Sequence, residues 1–69
     1  MLEKIISAIK NGYTITVSNN MHAWAIDLKV WLKFESLDRP VLIERNGELY
    51  MSSGKKYVCI IGCRIVGTK

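Results

Sequence analysis

The sequence is poor in the residues from which small proteins build staples and active sites. Its 69 residues include two cysteines, one histidine and one proline. The cysteines, Cys59 and Cys63, fall inside a β-rich apolar run. On a strand they would share a face about 13 Å apart, at ~3.3 Å of rise per residue. A disulfide needs Cα atoms within roughly 7 Å, so the pair is not expected to bridge. Zinc ligands usually come as closely spaced pairs, and His22 is far away in sequence, so no metal site is expected. Both thiols read as reduced core residues, which suits a cytoplasmic protein.

The lone histidine also argues against catalysis. His22 follows Asn19-Asn20-Met21 and reads as a solvated turn residue, with no nucleophile or acid placed beside it by any signature. Ser52-Ser53-Gly54-Lys55-Lys56 has the glycine and lysine of a phosphate loop. It lacks the spacing and the following helix, and reads as a turn. No catalytic residue and no cofactor is expected, and the chain reads as non-enzymatic.

Long apolar runs are missing too. The longest, Tyr57 to Cys63, is far short of the ~20 residues a helix needs to cross a bilayer. Glu3, Lys4 and Lys10 interrupt any leader-like apolar segment near the start, so no secretory leader is expected. Apolar residues nevertheless make up 49% of the chain and charged residues 23%, which excludes a disordered tail. A single domain over residues 1–69 is expected. A chain of this size buries only about 60% of its unfolded surface, so a partner or a second copy would add stability.

Acidic residues are absent from the last part of the chain. Residues 1–54 carry six bases and six acids; residues 55–69 carry Lys55, Lys56, Arg64 and Lys69 alone. The net charge of +4 therefore belongs to the last strand and its flanks. Such an edge attracts phosphate or an acidic protein surface, or simply solubilises and guards the strand.

What is present reads as alternating elements. Leu2, Ile5, Ile6 and Ile9 form one apolar stripe, predicting a helix over 2–10 that ends at Asn11-Gly12. Residues 13–18 alternate as a half-buried strand, and Asn19-Asn20 marks a turn. Across 23–34 every even residue from Trp24 to Phe34 is apolar, predicting one long strand. Residues 35–40 read as a loop closed by Pro40. Asn46-Gly47 predicts a type I′ hairpin pairing Arg45 with Glu48 and Ile43 with Tyr50. Ser52-Ser53-Gly54 turns the chain again, and Tyr57 to Val66 reads as a strand buried on both faces, hence central or dimer-paired, with Gly62 at a bulge or close approach. The fold class expected is α+β: one short N-terminal helix packed on a mostly antiparallel sheet of about five strands, a meander with an Asn-Gly hairpin.

On the strand reading, Trp31 stands between Lys29 and Lys33 on an otherwise polar face. Aromatics stack on bases and cations hold phosphates, and tryptophan is a frequent interface hot spot. Trp31 equally suits a place under the helix, or a second small core with Ala23 and Ala25. Candidate binding residues, for protein or phosphate, are Lys29, Trp31, Lys33, Lys55, Lys56 and Arg64.

The opening from Leu2 to Ser18, LEKIISAIKNGYTITVS, resembles the start of many small phage and prophage accessory proteins. It is similar in particular to the helix-then-strand opening of small type II-A anti-CRISPR proteins of Listeria prophages. The likeness covers about a quarter of the chain. That family is strongly acidic and mimics DNA, whereas this chain is basic and has no matching acidic cluster, so the DNA-mimic mechanism and its residues do not transfer. The resemblance implies a class: a small phage- or mobile-element-type inhibitor of a bacterial defence complex, acting by stoichiometric protein binding. Its partner would be a bacterial host protein or ribonucleoprotein complex, met in the host cytoplasm. Two other readings stand beside it: a basic nucleic-acid-binding module using Trp31 and its flanking lysines, and a structural homodimer paired through the last strand.

Overall fold

The computed structural model describes residues 1–69. Helix α1 spans Leu2–Lys10 and buries Ile5 and Ile9, with Leu2 and Ala8 packed beside them. Nine residues do not hold a helix alone in water; the buried stripe supplies what propensity cannot. Its end is a Schellman motif: Tyr13 N–H donates to the Ala8 carbonyl and Gly12 N–H to that of Ile9.

Strand β1, Thr14–Ser18, follows the alternation, with Ile15 and Val17 buried. The Asn19 turn forms as expected, its Oδ1 accepting from the Met21 and His22 backbone N–H groups at 2.8 Å. Strand β2, Ala23–Ile26, returns antiparallel, setting Trp24 opposite Val17 and Ile26 opposite Ile15.

The long strand expected over 23–34 does not form. It stops at Ile26, and residues Leu28–Ser36 are helix α2. Asp27 is the reason. Its backbone is extended and its Oδ1 accepts from Val30 N–H at 2.9 Å, while its carbonyl takes the first helical bond from Trp31 N–H. Beyond it Leu, Lys and Glu favour helix. Val30, Trp31 and Phe34, at helical spacing, pack on the core, and Leu28 and Leu32 are exposed. The period-two pattern arose because a lysine or tryptophan happens to separate each of these apolar residues. The loop expected over 35–40 is correspondingly shorter. α2 closes in a second Schellman motif, with Asp38 N–H donating to the Glu35 carbonyl and Arg39 N–H to that of Phe34. Asp38 occupies the left-handed position at φ 55°, where glycine is the usual residue.

Strands β3 (Leu42–Arg45), β4 (Glu48–Ser53) and β5 (Lys56–Cys59) form an antiparallel sheet in that order. Its first hairpin is the one expected, pairing Arg45 with Glu48 and Ile43 with Tyr50. Asn46 and Gly47 both have positive φ, 54° and 79°, as a type I′ turn requires. The second turn is Gly54-Lys55, and Ser52 and Ser53 belong to β4.

The uninterrupted buried strand expected from Tyr57 to Val66 is also corrected. β5 ends at Cys59, and Cys63 N–H donates to the Ile60 carbonyl at 3.1 Å. Gly62, at φ 85°, takes the third position of this tight turn. Only glycine adopts that geometry without strain in a type II turn, so Gly62 marks a reversal and not a bulge. The two cysteines therefore do not share one strand face; both are free, Cys59 exposed and Cys63 half-buried. Strand β6, Arg64–Thr68, then pairs antiparallel with β1, and every one of its residues is exposed. It is an edge strand, not a central one.

The architecture is thus α+β, with two helices and two three-stranded antiparallel sheets, β2-β1-β6 and β3-β4-β5. About five strands in one sheet were expected; the Asp27 cap and the Gly62 turn account for the difference. Both sheets and α1 share one core: Ile5, Ile9, Ile15, Val17, Ile26, Val41, Leu42, Leu49, Met51 and Ile60.

Candidate functional site

The six binding residues read from the sequence fall on three elements. Lys29 and Lys33 are exposed, four apart on α2. Trp31 points about 200° round the helix axis from each of them. The arrangement of Trp31 between two lysines on one flat face is thereby corrected: it needed a strand. Trp31 is half-buried, and its Nε1–H donates to Glu35 Oε2 at 3.2 Å. Lys55 lies in the β4–β5 turn and Lys56 opens β5, both exposed. Arg64 opens β6, exposed and opposite Ser18.

The structure gathers a different set of residues around Trp31. Trp31, Glu35, Asp38, Arg39, Pro40 and Val41 line a surface depression of about 190 Å³. The Arg39 Nη2–H donates to the Gly54 carbonyl in the β4–β5 turn. Its guanidinium carbon lies 5.9 Å from the centre of the Tyr57 ring. The Tyr57 hydroxyl donates to the Pro40 carbonyl at 2.7 Å. These contacts fasten the chain leaving α2 to the tip of the second hairpin.

Tyr57 leads on to the outward face of sheet β3-β4-β5. Side chains alternate across a strand, and Leu42, Leu49 and Met51 occupy the core face. The register therefore places Ile43, Tyr50 and Cys59 in one outward rung, Ser52 and Tyr57 in the next, and Arg45 with Glu48 at the other end. Tyr50 and Tyr57 are diagonal neighbours on this face. The Arg45 guanidinium carbon lies 5.5 Å from the Tyr50 ring centre. Trp31, Arg39, Tyr57, Tyr50 and Arg45 thus follow one another across α2 and the sheet as a band of aromatic rings and guanidinium groups.

Carboxylates are threaded through the band. The Tyr50 hydroxyl donates to Glu48 Oε2 at 3.4 Å, and the Cys59 thiol points to the same oxygen at 3.7 Å. Desolvation and then the Glu48 carboxylate push the Tyr50 phenol above its ordinary 10.0, Cys59 adding to the effect and Arg45 opposing it. The phenol stays a neutral donor at physiological pH. Ser52, on this face but covered by its neighbours, donates its N–H to the Val41 carbonyl at 2.9 Å, and its Oγ is buried without a partner.

Of this band only Trp31 is a candidate in the sequence; Arg39, Arg45, Tyr50 and Tyr57 are brought beside it by the fold. The hairpin register already placed Tyr50 opposite Ile43, and extending that parity along β4 and β5 would have put Tyr57 on the same face. Arg39 carried no such signal, because its position depends on how α2 ends.

Two more depressions lie elsewhere. One, of about 360 Å³, is lined by His22, Trp24, Cys59 and Cys63 among others, the His22 and Trp24 rings lying 5.6 Å apart. No three His, Cys, Asp or Glu side chains are placed to hold a metal ion. The other, of about 370 Å³, is mostly apolar and lies beside β6. No helix is long and apolar enough to cross a membrane.

No protein-family model, no curated protein and no solved structure matches this chain.

Proposed function

We propose that this chain is a non-enzymatic protein that works by stoichiometric protein binding, with the Trp31–Arg39–Tyr57–Tyr50–Arg45 band as its contact surface. The band is the observation that carries this reading. Trp, Tyr and Arg are the residues enriched in interfaces and in their hot spots. Here Trp31, Arg39, Tyr50 and Tyr57 are held by hydrogen bonds to Glu35, Gly54, Glu48 and Pro40, so little of their rotamer freedom remains to be lost on binding, and Arg45 lies over the Tyr50 ring. The threaded acids favour a protein over nucleic acid. Glu35, Asp38 and Glu48 would stand beside the phosphates of any strand stacked on these rings, whereas a protein surface can match mixed charge.

The N-terminal resemblance to phage inhibitors supports a bacterial host protein or ribonucleoprotein complex as the target. A mobile-element inhibitor of a defence complex is the class of activity we propose. The test is a comparative capture from bacterial lysate, followed by affinity measurement with the purified partner. Arg45 is exposed and lies outside the core, so Arg45→Glu costs the hairpin only the repulsion of facing Glu48. It should weaken binding about 30-fold, the equivalent of ~2 kcal/mol at a hot spot. Lys29→Ala/Lys33→Ala, on another face of α2, should not. Equal capture by wild type and Arg45→Glu would overturn this assignment of the surface. Quenching of Trp31 by an oligonucleotide with a steep salt dependence would transfer the band to nucleic acid.

A further inference from the structure

Strand β6 is an edge on the side of the molecule built by the other sheet, and it is poorly defended. Edge strands are normally blunted by charge, proline, bulges or cover. β3 carries Glu44 and Arg45, β5 opens with Lys56, and β2 is four residues long and runs straight into the Asp27 cap. The centre of β6 is Ile65-Val66-Gly67, uncharged and exposed, with no proline. Its terminal cation Lys69 is drawn toward the β1 side, Nζ lying 5.2 Å from the centre of the Tyr13 ring. Beside this edge lies the apolar depression lined by Met1, Leu49, Ile61, Cys63 and Ile65, with Glu44 in its wall. Met1 and Ile61 are 76% and 60% exposed there.

We infer that β6 pairs antiparallel with β6 of a second copy about a two-fold axis at Val66, joining the two sheets as β2-β1-β6-β6-β1-β2. The strand is self-complementary in that register. Val66 meets Val66 of the second copy, Ile65 meets Gly67, and Arg64 meets Thr68. A bulky side chain faces one with no Cβ, and the guanidinium faces a hydroxyl, so no like charges oppose each other directly. The faces agree as well. Pairing of β6 with β1 puts Ile65 and Gly67 on the side of Val17 and Ile15, and Val66 on the wet side with Thr16. A closed isologous contact of this kind cannot grow into a fibre. The pairing is independent of the Trp31–Arg45 band, which lies on the outward face of the other sheet, and either can fail without the other.

The decisive experiment traps the register. Val66→Cys, in a Cys59→Ser/Cys63→Ser background, places a thiol directly opposite its own copy. Under mild oxidation it should form a disulfide-linked dimer at least about tenfold faster than Ala25→Cys on the outward face of β2, because pairing raises the effective thiol concentration. Sedimentation of the wild-type chain should show a mass rising toward twice that of the monomer with concentration. Val66→Lys, an exposed change that leaves the fold intact by circular dichroism, should stay monomeric. Equal cross-linking rates for Val66→Cys and Ala25→Cys, or a wild-type chain monomeric up to millimolar concentration, would overturn the inference.

Discussion

Replacing Asp27 with valine separates the two structures this sequence could have adopted between residues 23 and 34. Asp27 accepts one hydrogen bond, from Val30 N–H at 2.9 Å. Losing such an N-cap costs about 1 kcal/mol. Its negative charge also sits at the positive end of the α2 dipole, adding ~0.5 kcal/mol for a group that is only half-buried. Asp27→Val should therefore cost about 1.5 kcal/mol, which in a domain of this size lowers Tm by roughly 6–12 °C. Asp27→Ser keeps the cap and loses only the charge, so its Tm should fall by roughly 2–4 °C. Thermal melts followed by far-ultraviolet circular dichroism measure both. Valine is a better strand residue than aspartate, so a strand running through position 27 would gain from the same change. An Asp27→Val protein as stable as wild type, or more so, would refute the capped-helix account and the placement of Trp31 that depends on it.

Other outcomes follow from single contacts. Asp38→Gly relieves an L-residue at φ 55° and removes a carboxylate from the C-terminal end of α2. It should stabilise by about 0.5–1 kcal/mol, read as a higher denaturant midpoint with an unchanged slope. Ser52→Ala deletes a buried hydroxyl that has no partner. It should leave Tm unchanged or raise it by a few degrees, where a hydrogen-bonded serine would have cost ~1 kcal/mol. The Tyr50 phenol is raised above 10.0 in the folded state. Its contribution to stability is fully present below its unfolded value and is lost as pH climbs through the raised one. Tyr50→Phe should remove the late component of the phenolate absorbance titration and flatten the loss of stability above that pH.

Elements with a local cause were legible in the sequence. The α1 stripe, the Asn11-Gly12 ending, the Asn19 turn and the type I′ hairpin each depend on a few neighbouring residues, and each formed. The errors came where periodicity was counted across a residue that interrupts it. Asp27 is the only acid between residues 13 and 34, and it stands where an N-cap is needed, with Asp38 and Pro40 supplying the stop. Weighing it as a cap would have divided the long strand. Gly62 reads as a bulge or a close approach as long as the apolar run is followed past it, yet Ile61-Gly62 is also a type II turn pair. The band on sheet β3-β4-β5 was half legible, since strand parity fixes Tyr50 and Tyr57 once the hairpins are known. Arg39 was not, because it reaches Gly54 only after α2, the Schellman turn at Asp38 and two hairpins are all in place.

The pairing of β1 with β6 also sets a timetable for synthesis. The sheet built from β3, β4 and β5 is closed by two-residue turns, so its contacts are local and form quickly. The middle strand of the other sheet is made early, but one of its two partners is the last element of the fold. Until β6 emerges, β1 has one side without hydrogen-bond partners. During that interval the growing chain carries an open template strand with Ile15 and Val17 beside it, which is when a chaperone, or a neighbouring nascent copy, has its best opportunity to bind.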